Sequence, residues 1–270
     1  MKFKYDHDLH IHSYISNCSQ DVEQNPENIL QYAIDNHLNT ICLTDHFWDE
    51  NIEGASPWYN RNHKFTQIIK AKPLPQAEGV KFLFGCETDL DKHCTLGLSA
   101  ARFDEFDFII IPTTHMHMND FTVEKEDFCN PRRLAKLWIE RIEAVLNMDL
   151  PFHKIGLAHL TCSLIANTRE KYLETLNLIE TESMCRVFKK AALLGVGIEL
   201  NASDMGFSDE EMETVLRTYR IAKECGCKFY LGSDAHHPAN FYKCPPRFEK
   251  AISLLELEEK DKIDFLSHNN

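Results

Sequence analysis

The sequence predicts an α/β fold, a parallel barrel in which strands and helices alternate, and three observations lead to this prediction. The chain has 270 residues, and one α/β barrel typically has about 250 residues. Apolar runs of strand length alternate with helix-like stretches from one end of the chain to the other. Side chains of the types that bind metal ions directly follow several of these runs. We therefore expect residues 1–270 to form a single domain.

The first half of the chain supplies four of the expected strands, at residues 3–9, 40–44, 80–85 and 106–112. A helix is predicted over residues 26–37, because Pro26 suits the first turn of a helix. Residues 47–79 contain several prolines and no clean periodicity. We predict a long irregular loop there, with one helical turn at most.

The second half continues the alternation. Helices are predicted over residues 131–147 and 170–194, the second broken once and ending at Gly195 as a cap. Ser208 and Glu211 have the spacing of a capping box, which predicts a helix over residues 208–224. Strands are predicted at 155–158, 196–200 and 228–231, and one or two amphipathic helices at 247–266. The count is seven strand–helix units, which indicates a (β/α)7 barrel.

Composition and charge restrict the possible partners and location. The formal net charge of −13 argues against a nucleic-acid backbone as the main partner. A small anionic substrate remains compatible, because bound cations reverse the local sign of an acidic site. The ten cysteines are scattered along the chain, which we interpret as reduced thiols in a cytoplasm. The start of the sequence enters a strand at once, so we expect neither a signal peptide nor a membrane span.

Metal-type side chains follow six of the predicted strands or lie at their ends. Residues two apart in a strand point to the same side, so His10 with His12, and Asp234 with His236, can each grip one ion. One such histidine alone is more often an ordinary loop residue. The carboxyl ends of parallel strands open on one face, where we expect eight of these residues to converge: His10, His12, His46, Glu87, His115, His159, Asp234 and His236. This pattern indicates a metallohydrolase.

Three motifs carry a resemblance to a known family. They are Asp8-Leu9-His10-Ile11-His12-Ser13, Thr44-Asp45-His46 and Gly232-Ser233-Asp234-Ala235-His236-His237-Pro238. In order and spacing they resemble the polymerase and histidinol phosphatase (PHP) superfamily of metal-dependent phosphoesterases, over nearly the whole chain. The resemblance implies a distorted (β/α)7 TIM-like barrel. It also implies two or three divalent metal ions, which would be zinc, manganese or iron.

The resemblance also implies a ligand set for each ion. The first ion would be held by His10, His12, Glu87 and Asp234. Glu87 would bridge to a second ion held by His115 and His159, and a third ion would lie near His46 and His236.

The chain departs from the family pattern at Cys18. Family members usually place His or Asp six residues after the second histidine of the first motif, as a ligand of the third ion. A Cys18 thiolate there would favour zinc or iron over manganese or magnesium. The alternatives are that Asp21 or Asn17 reaches the ion, or that the third site is weak. The sequence does not rank these three outcomes.

Two or three divalent ions suit phosphoester hydrolysis, because they lower the pKa of a bridging water from about 15.7 toward 7 and neutralise phosphoryl charge. The first hypothesis is therefore a phosphomonoesterase that attacks a small-molecule phosphoester with a metal-bridging hydroxide. The family resemblance implies histidinol phosphate as the leading candidate substrate, and Glu87, Asp234 and His236 are the expected catalytic residues. One alternative is a phosphodiesterase or nuclease-like activity on nucleotides. Another is a non-catalytic regulatory domain that metals brace.

Several residues around the expected site have predicted supporting roles. Asp8 and Asp45 precede metal-type histidines and can each hold an imidazole tautomer. Glu199 is expected at the floor of the site, and an aromatic loop with Trp48, Trp58 and Tyr59 either covers the site or packs on the barrel. The sequence does not select a phosphate-binding cation among Arg61, Lys64, Lys92, Arg102, Arg132, Arg133, Arg169 and Arg247.

Overall fold

A computed structural model describes residues 1–59, 63–118 and 120–266 of the chain. The strands of these residues are β1 His7–Ile11, β2 Thr40–Leu43, β3 Lys81–Phe84, β4 Cys86–Glu87, β5 Ile109–Pro112, β6 Ile155–Ala158, β7 Gly197–Asn201 and β8 Lys228–Gly232. They form a sheet of order β1-β2-β3 and a sheet of order β4-β5-β6-β7-β8. Every strand pairing in both sheets is parallel. The predicted α/β class with parallel strands is confirmed.

The two sheets meet at their edges through isolated bridges instead of forming one continuous ladder. One bridge pairs His46 with Glu87, and another pairs Ile11 with Ala235. At the second junction the main-chain N–H of Asp234 donates to the carbonyl oxygen of His10 at 2.7 Å. The sheet edges are thus joined at the ends where the metal-type side chains lie.

The two-residue strand β4 was not predicted, because the apolar run around it reads as one strand. The chain switches partner at Gly85: β3 pairs with β2, whereas β4 pairs with β5. A Cβ atom on Gly85 would collide with the carbonyl oxygen of Phe108. The close approach of these two backbones therefore requires glycine, and it sets Glu87 at the new sheet edge.

The helices of the described residues are α1 Pro26–Asp35, α2 Phe65–Ile68, α3 Pro131–Leu146, α4 Arg169–Leu178, α5 Thr181–Leu194, α6 Met212–Glu224, α7 Pro238–Phe241 and α8 Cys244–Leu254. The predicted starts of α1 and α3 are confirmed. In both cases an asparagine before the proline, Asn25 or Asn130, accepts a hydrogen bond from a main-chain N–H of the first turn. The predicted break separates α4 from α5, and Gly195 ends α5 with a φ of 76°.

Three predicted boundaries are wrong. The first strand, predicted within residues 3–9, covers His7–Ile11 and so ends two residues later. Phe3 lies outside it, and its N–H donates to the carbonyl oxygen of Leu257 after α8. Helix α6 begins at Met212 instead of residue 208. Only half of the predicted capping box forms: the Glu211 carboxylate accepts from the Ser208 N–H, but the Glu211 N–H donates to the Ser208 carbonyl oxygen and not to the Ser208 side chain. The tail was predicted to hold one or two helices over residues 247–266; it holds one, α8, which ends at Leu254 and is followed by short 3₁₀ turns.

The strands are buried on both faces, as expected of parallel sheets that helices cover. A separate interior cluster brings together Leu9, Phe108, Ile110 and Tyr230 with neighbouring apolar side chains. These apolar side chains come from both sheets and pack against one another.

Two observations concern the cysteines and membrane spans. All ten cysteines lie in described segments and are free thiols. Within residues 1–59, 63–118 and 120–266, no helix is both long enough and apolar enough to cross a bilayer.

Candidate metal centre

The structure brings the predicted ligands of distant segments into one buried cluster at the strand ends. Glu87 lies at its middle and is 1% exposed. Its Oε2 atom is 3.0 Å from His46 Nδ1, 3.3 Å from His12 Nε2 and 3.5 Å from His10 Nε2. Its Oε1 atom is 3.5 Å from His159 Nε2. Strands β1, β4 and β6 and the end of β2 therefore deliver side chains to one carboxylate.

Asp234 contacts three of the same histidines. Its Oδ1 is 3.2 Å from His12 Nε2 and 3.5 Å from His10 Nε2, and its Oδ2 is 3.6 Å from His159 Nε2. Both Asp234 and His159 have a positive φ, of 52° and 59°. This backbone conformation is unfavourable for residues other than glycine, and such strain concentrates at functional sites.

Three sets of three side chains place their ligand atoms within 4.8 Å of one another: His10 with His12 and Asp234, His10 with Glu87 and His159, and His12 with His46 and His236. All three members of the first set, and two members of each other set, belong together in the ligand sets that the family resemblance implies. The assignment of particular ions to these residues stays a prediction.

Two predicted ligands lie outside these three sets. His115 Nε2 is 3.9 Å from Glu87 Oε1, while its Nδ1 bonds Asp89 at 3.0 Å. Cys18 is exposed and lines the cavity above the cluster. Its two alternatives have other partners, since Asn17 donates to the Trp58 carbonyl and Asp21 pairs with His237.

The carboxylates of the cluster are ionised. Burial by itself raises the pKa of Glu87, but the neighbouring His46 and His10 outweigh it and hold that pKa well below its usual range. Asp234 behaves alike: burial opposes ionisation, while His236 and His10 lower its pKa well below the ordinary value. Two negative charges are thus buried among imidazoles.

Two histidines at the cluster are neutral near pH 7. Burial lowers the pKa of His46, and burial together with the charge of His12 lowers the pKa of His236 to about 4. The Nδ1 atom of His236 donates to the Asp234 carbonyl oxygen at 2.8 Å. Its Nε2 atom therefore carries a free lone pair, as a metal ligand requires.

The tautomers of His10 and His12 follow from their hydrogen-bond partners, because the ring nitrogen that faces an acceptor must carry the proton. His10 Nδ1 donates to Glu199 Oε1 at 2.6 Å, and His12 Nδ1 donates to Ser16 Oγ at 3.2 Å. Their Nε2 atoms, only 3.0 Å apart, then face each other with lone pairs in the neutral state. Positive charge between them, either a proton or a metal ion, is needed to stabilise this arrangement.

Unpaired buried atoms test whether metal ions fit the cluster. Both carboxylate oxygens of Glu87, and the Nδ1 atom of His46, have no hydrogen-bond partner of adequate geometry among the described residues. A buried ionised carboxylate without partners costs several kcal/mol. The donor set of imidazole nitrogens and carboxylate oxygens is the one that zinc, manganese and iron take in proteins. The residues therefore fit divalent ions.

The residues predicted to support the metal ligands have the predicted role only in part. Glu199 is buried at the floor, as predicted, where it accepts from His10 and from the His159 N–H. Asp45 does not hold an imidazole directly, because its carboxylate accepts from Ser16 Oγ, which in turn accepts from His12. Among the described residues Asp8 also makes no bond to an imidazole; it accepts from the main-chain N–H groups of His10 and Ser233 and from the Tyr32 hydroxyl.

Sequence reasoning missed two supporting residues, Asp89 and Ser16. Asp89 accepts from His115 Nδ1 and fixes its tautomer. The sequence contains the information that predicts this role, because Asp89 lies two residues after Glu87 and so falls on the same side of an extended chain. Ser16 gave no such signal, because its role depends on the turn that folds it under His12.

We expect Glu199→Gln to weaken metal affinity about 10- to 100-fold, as loss of a carboxylate behind a ligating histidine typically does. The physical reason is that the charged acceptor for His10 Nδ1–H becomes neutral. Competition with a chromogenic chelator measures the zinc affinity. Glu78→Gln, at an exposed position, is the matched control. Equal affinity in both variants would contradict this role of Glu199.

A cavity of about 470 Å³ opens above the cluster, and its walls include Cys18, Trp58, Met118 and Leu164. Trp58 packs edge-on against His46 with ring centroids 5.0 Å apart. Trp48 and Tyr59 are buried instead, so the aromatic loop both packs on the fold and reaches the site.

Among the predicted phosphate-binding cations, Arg169 lines a smaller adjoining cavity that shares His159 and Asp234. Arg61 lies outside the described residues.

The parallel α/β fold, with a histidine and carboxylate cluster at its strand ends, defines a protein of the α/β class with a candidate metal centre. Comparison with known proteins makes this specific. The family model of the PHP domain matches residues 8–203, so the chain belongs to the PHP domain family. The predicted resemblance is confirmed, and family membership supports a metal-dependent phosphoesterase.

Two solved structures show the same fold. A histidinol phosphate phosphatase from Lactococcus lactis, in complex with zinc, L-histidinol and phosphate, is 18% identical, with a TM-score of 0.60, over 96% of this chain and 98% of that chain. A putative histidinol phosphatase from Listeria monocytogenes is 12% identical, with a TM-score of 0.56, over 87% of this chain and 96% of that chain. No curated protein matches the sequence.

Proposed function

We propose that this protein is a metal-dependent phosphomonoesterase that acts on a small molecule, with histidinol phosphate as the leading substrate. The observation that carries the proposal is the buried Glu87 carboxylate, surrounded by imidazoles and without hydrogen-bond partners of its own in the described chain. The complex of the Lactococcus lactis structure with L-histidinol and phosphate supports the choice of substrate.

The residues that would hold the ions are His10, His12, His46, Glu87, His159, Asp234 and His236, with His115 and Cys18 as further ligands. Two or three divalent ions bound there would acidify a water and neutralise charge on the phosphoryl oxygens. Zinc, manganese and iron all suit this donor set.

The protein's own residues prepare the site for this chemistry. Glu199 orients His10, and Ser16 orients His12 through its bond to Asp45. His236 is neutral near pH 7 and donates only from Nδ1, which favours a ligand role over that of a proton donor to the leaving group. Trp58 shields His46 from bulk water on the cavity side.

The architecture fits the proposal when the two sheets are taken as one distorted (β/α)7 barrel. In that description β3 and β4 are two parts of one interrupted strand, and the bridges at His46 and Ile11 complete the circle. Residues 1–270 would then form one domain, with the cluster at its mouth. Ten free thiols are consistent with the expected cytoplasmic location.

A phosphoester panel tests the function. Protein loaded with zinc or manganese is expected to release inorganic phosphate from L-histidinol phosphate faster than from a nucleoside monophosphate, and to leave a short single-stranded oligonucleotide intact. Phosphate release and gel analysis measure the two outcomes. Absence of phosphate release from every monoester, at any metal loading, would exclude the proposal. Cleavage of the oligonucleotide alone would favour a nuclease.

A further inference from the structure

A second cavity, which we call the side lobe, opens from the metal cluster. It has a volume of about 280 Å³, and its walls include Arg169, Tyr172, Ser203 and Asp204. It shares the side chains of His159 and Asp234 with the main cavity. A molecule whose phosphate lies at the cluster can therefore extend its organic part into the side lobe.

Asp204 is a buried carboxylate in this wall, with 7% of its surface exposed. Its Oδ2 atom accepts from the Thr161 N–H, from Thr161 Oγ1 and from the Tyr219 hydroxyl, each at 3.2 Å. No hydrogen bond among the described residues ends on its Oδ1 atom. The three donors hold the carboxylate in one orientation and leave one oxygen available to a ligand.

Asp204 has no ion-pair partner among the described residues, although the charge of His159 partly offsets the effect of burial on its pKa. Arg169 forms a two-point ion pair with Glu211 and stacks on the Tyr172 ring at 4.6 Å. Asp204 itself takes part in no ion pair within the described chain, and burial raises its pKa to about 6. A buried carboxylate that lacks a counter-ion is costly, and a cationic group of a ligand would recover much of that cost.

We infer that the side lobe binds the ammonium group of a phosphorylated amino alcohol, with Asp204 Oδ1 as its acceptor. This inference rests on the proposed phosphomonoesterase function and names the substrate class. An ammonium group has three N–H donors and a full charge, which suits a single fixed carboxylate oxygen. A site that is built to bind such a group rejects analogues that lack it, because its buried acceptor then stays unpaired. Asp204 is thus a specificity-determining residue.

The test compares matched substrates in one enzyme. L-Histidinol phosphate and 2-aminoethyl phosphate are each assayed beside their desamino counterparts, and p-nitrophenyl phosphate reports general phosphatase activity. In the wild-type protein we expect kcat/KM to favour the amine in at least one pair by about tenfold or more. In Asp204→Asn this preference should fall to near one, while hydrolysis of p-nitrophenyl phosphate persists.

Asp209→Asn is the matched control, because the Asp209 side chain is 98% exposed and carries the same charge. It should keep the amine preference. A second variant, Tyr219→Phe, removes one donor to Oδ2 but keeps the carboxylate, so it should retain most of the preference even if stability falls. The ratio of two substrates in one variant is insensitive to the fraction of folded protein.

The outcomes separate the inference from the function on which it rests. Hydrolysis without an amine preference, or a preference that survives in Asp204→Asn, would overturn the inference and leave the phosphomonoesterase intact. Lack of hydrolysis of every compound, including p-nitrophenyl phosphate, would remove the function and the inference together.

Discussion

Glu87→Gln is expected to lower kcat by about 10²- to 10³-fold or more, the range seen when one charge-stabilising group is removed from an active site. Glu87 contacts ligands from β1, β6 and the end of β2, so its loss disturbs every proposed ion. The substitution also removes a buried negative charge that lacks hydrogen-bond partners in the described structure. The imidazoles around Glu87 lose their counter-charge, so the metal-free melting temperature should fall while the fold is kept.

The assay combines steady-state kinetics, metal content by mass spectrometry and thermal melting. Glu249→Gln, at an exposed position on α8, is the control and should match the wild type in all three. Loss of turnover in a protein that still unfolds cooperatively favours catalysis. Collapse of the fold in Glu87→Gln would favour the alternative in which metals only brace the domain, and unchanged turnover would exclude a role for Glu87.

Removal of metal with a chelator is expected to abolish phosphate release and to lower the melting temperature by roughly 5–10 °C. A ligand at 100 times its Kd stabilises the folded state by about 2.7 kcal/mol, and in a protein of this size each kcal/mol shifts the melting temperature by about 2–4 °C. The physical reason is that the carboxylates of Glu87 and Asp234 lose their compensating charge. Scanning calorimetry before and after dialysis measures the shift.

Readdition of zinc, manganese or iron should restore both activity and melting temperature, and the most effective ion identifies the preferred metal. The same treatment of Glu87→Gln is the control, since it should shift the melting temperature less than in the wild type. A wild-type protein whose activity and melting temperature both survive chelation would contradict a metal centre of this kind.

Much of the site was predictable from sequence because of a property of parallel sheets. Carboxyl ends of neighbouring strands lie at the same edge, so side chains that follow apolar runs converge however far apart they are in the chain. This reasoning placed His10, Glu87, His159 and Asp234 near one another without any coordinates. Alternation along an extended chain also accounts for Asp89, which lies two residues after Glu87.

The residues that sequence reasoning missed or misjudged depend on turns and on contacts between distant loops. Ser16 links His12 to Asp45 only because the chain after β1 folds back beneath the imidazole. Trp58 reaches His46 whereas Trp48 is buried, and no local pattern distinguishes the two tryptophans. The vacant oxygen of Asp204 results from three donors on two other elements.

The sequence by itself determined the α/β class, most helix and strand positions and the types of ligand at the strand ends, because hydrophobic periodicity and residue chemistry are local properties. The tertiary structure decided which nitrogen and oxygen atoms face one another, where Gly85 interrupts a strand, and which carboxylates stay unpaired. Such relations depend on distances of a few ångströms between segments that are separated by up to about two hundred residues, and local periodicity carries no information about them.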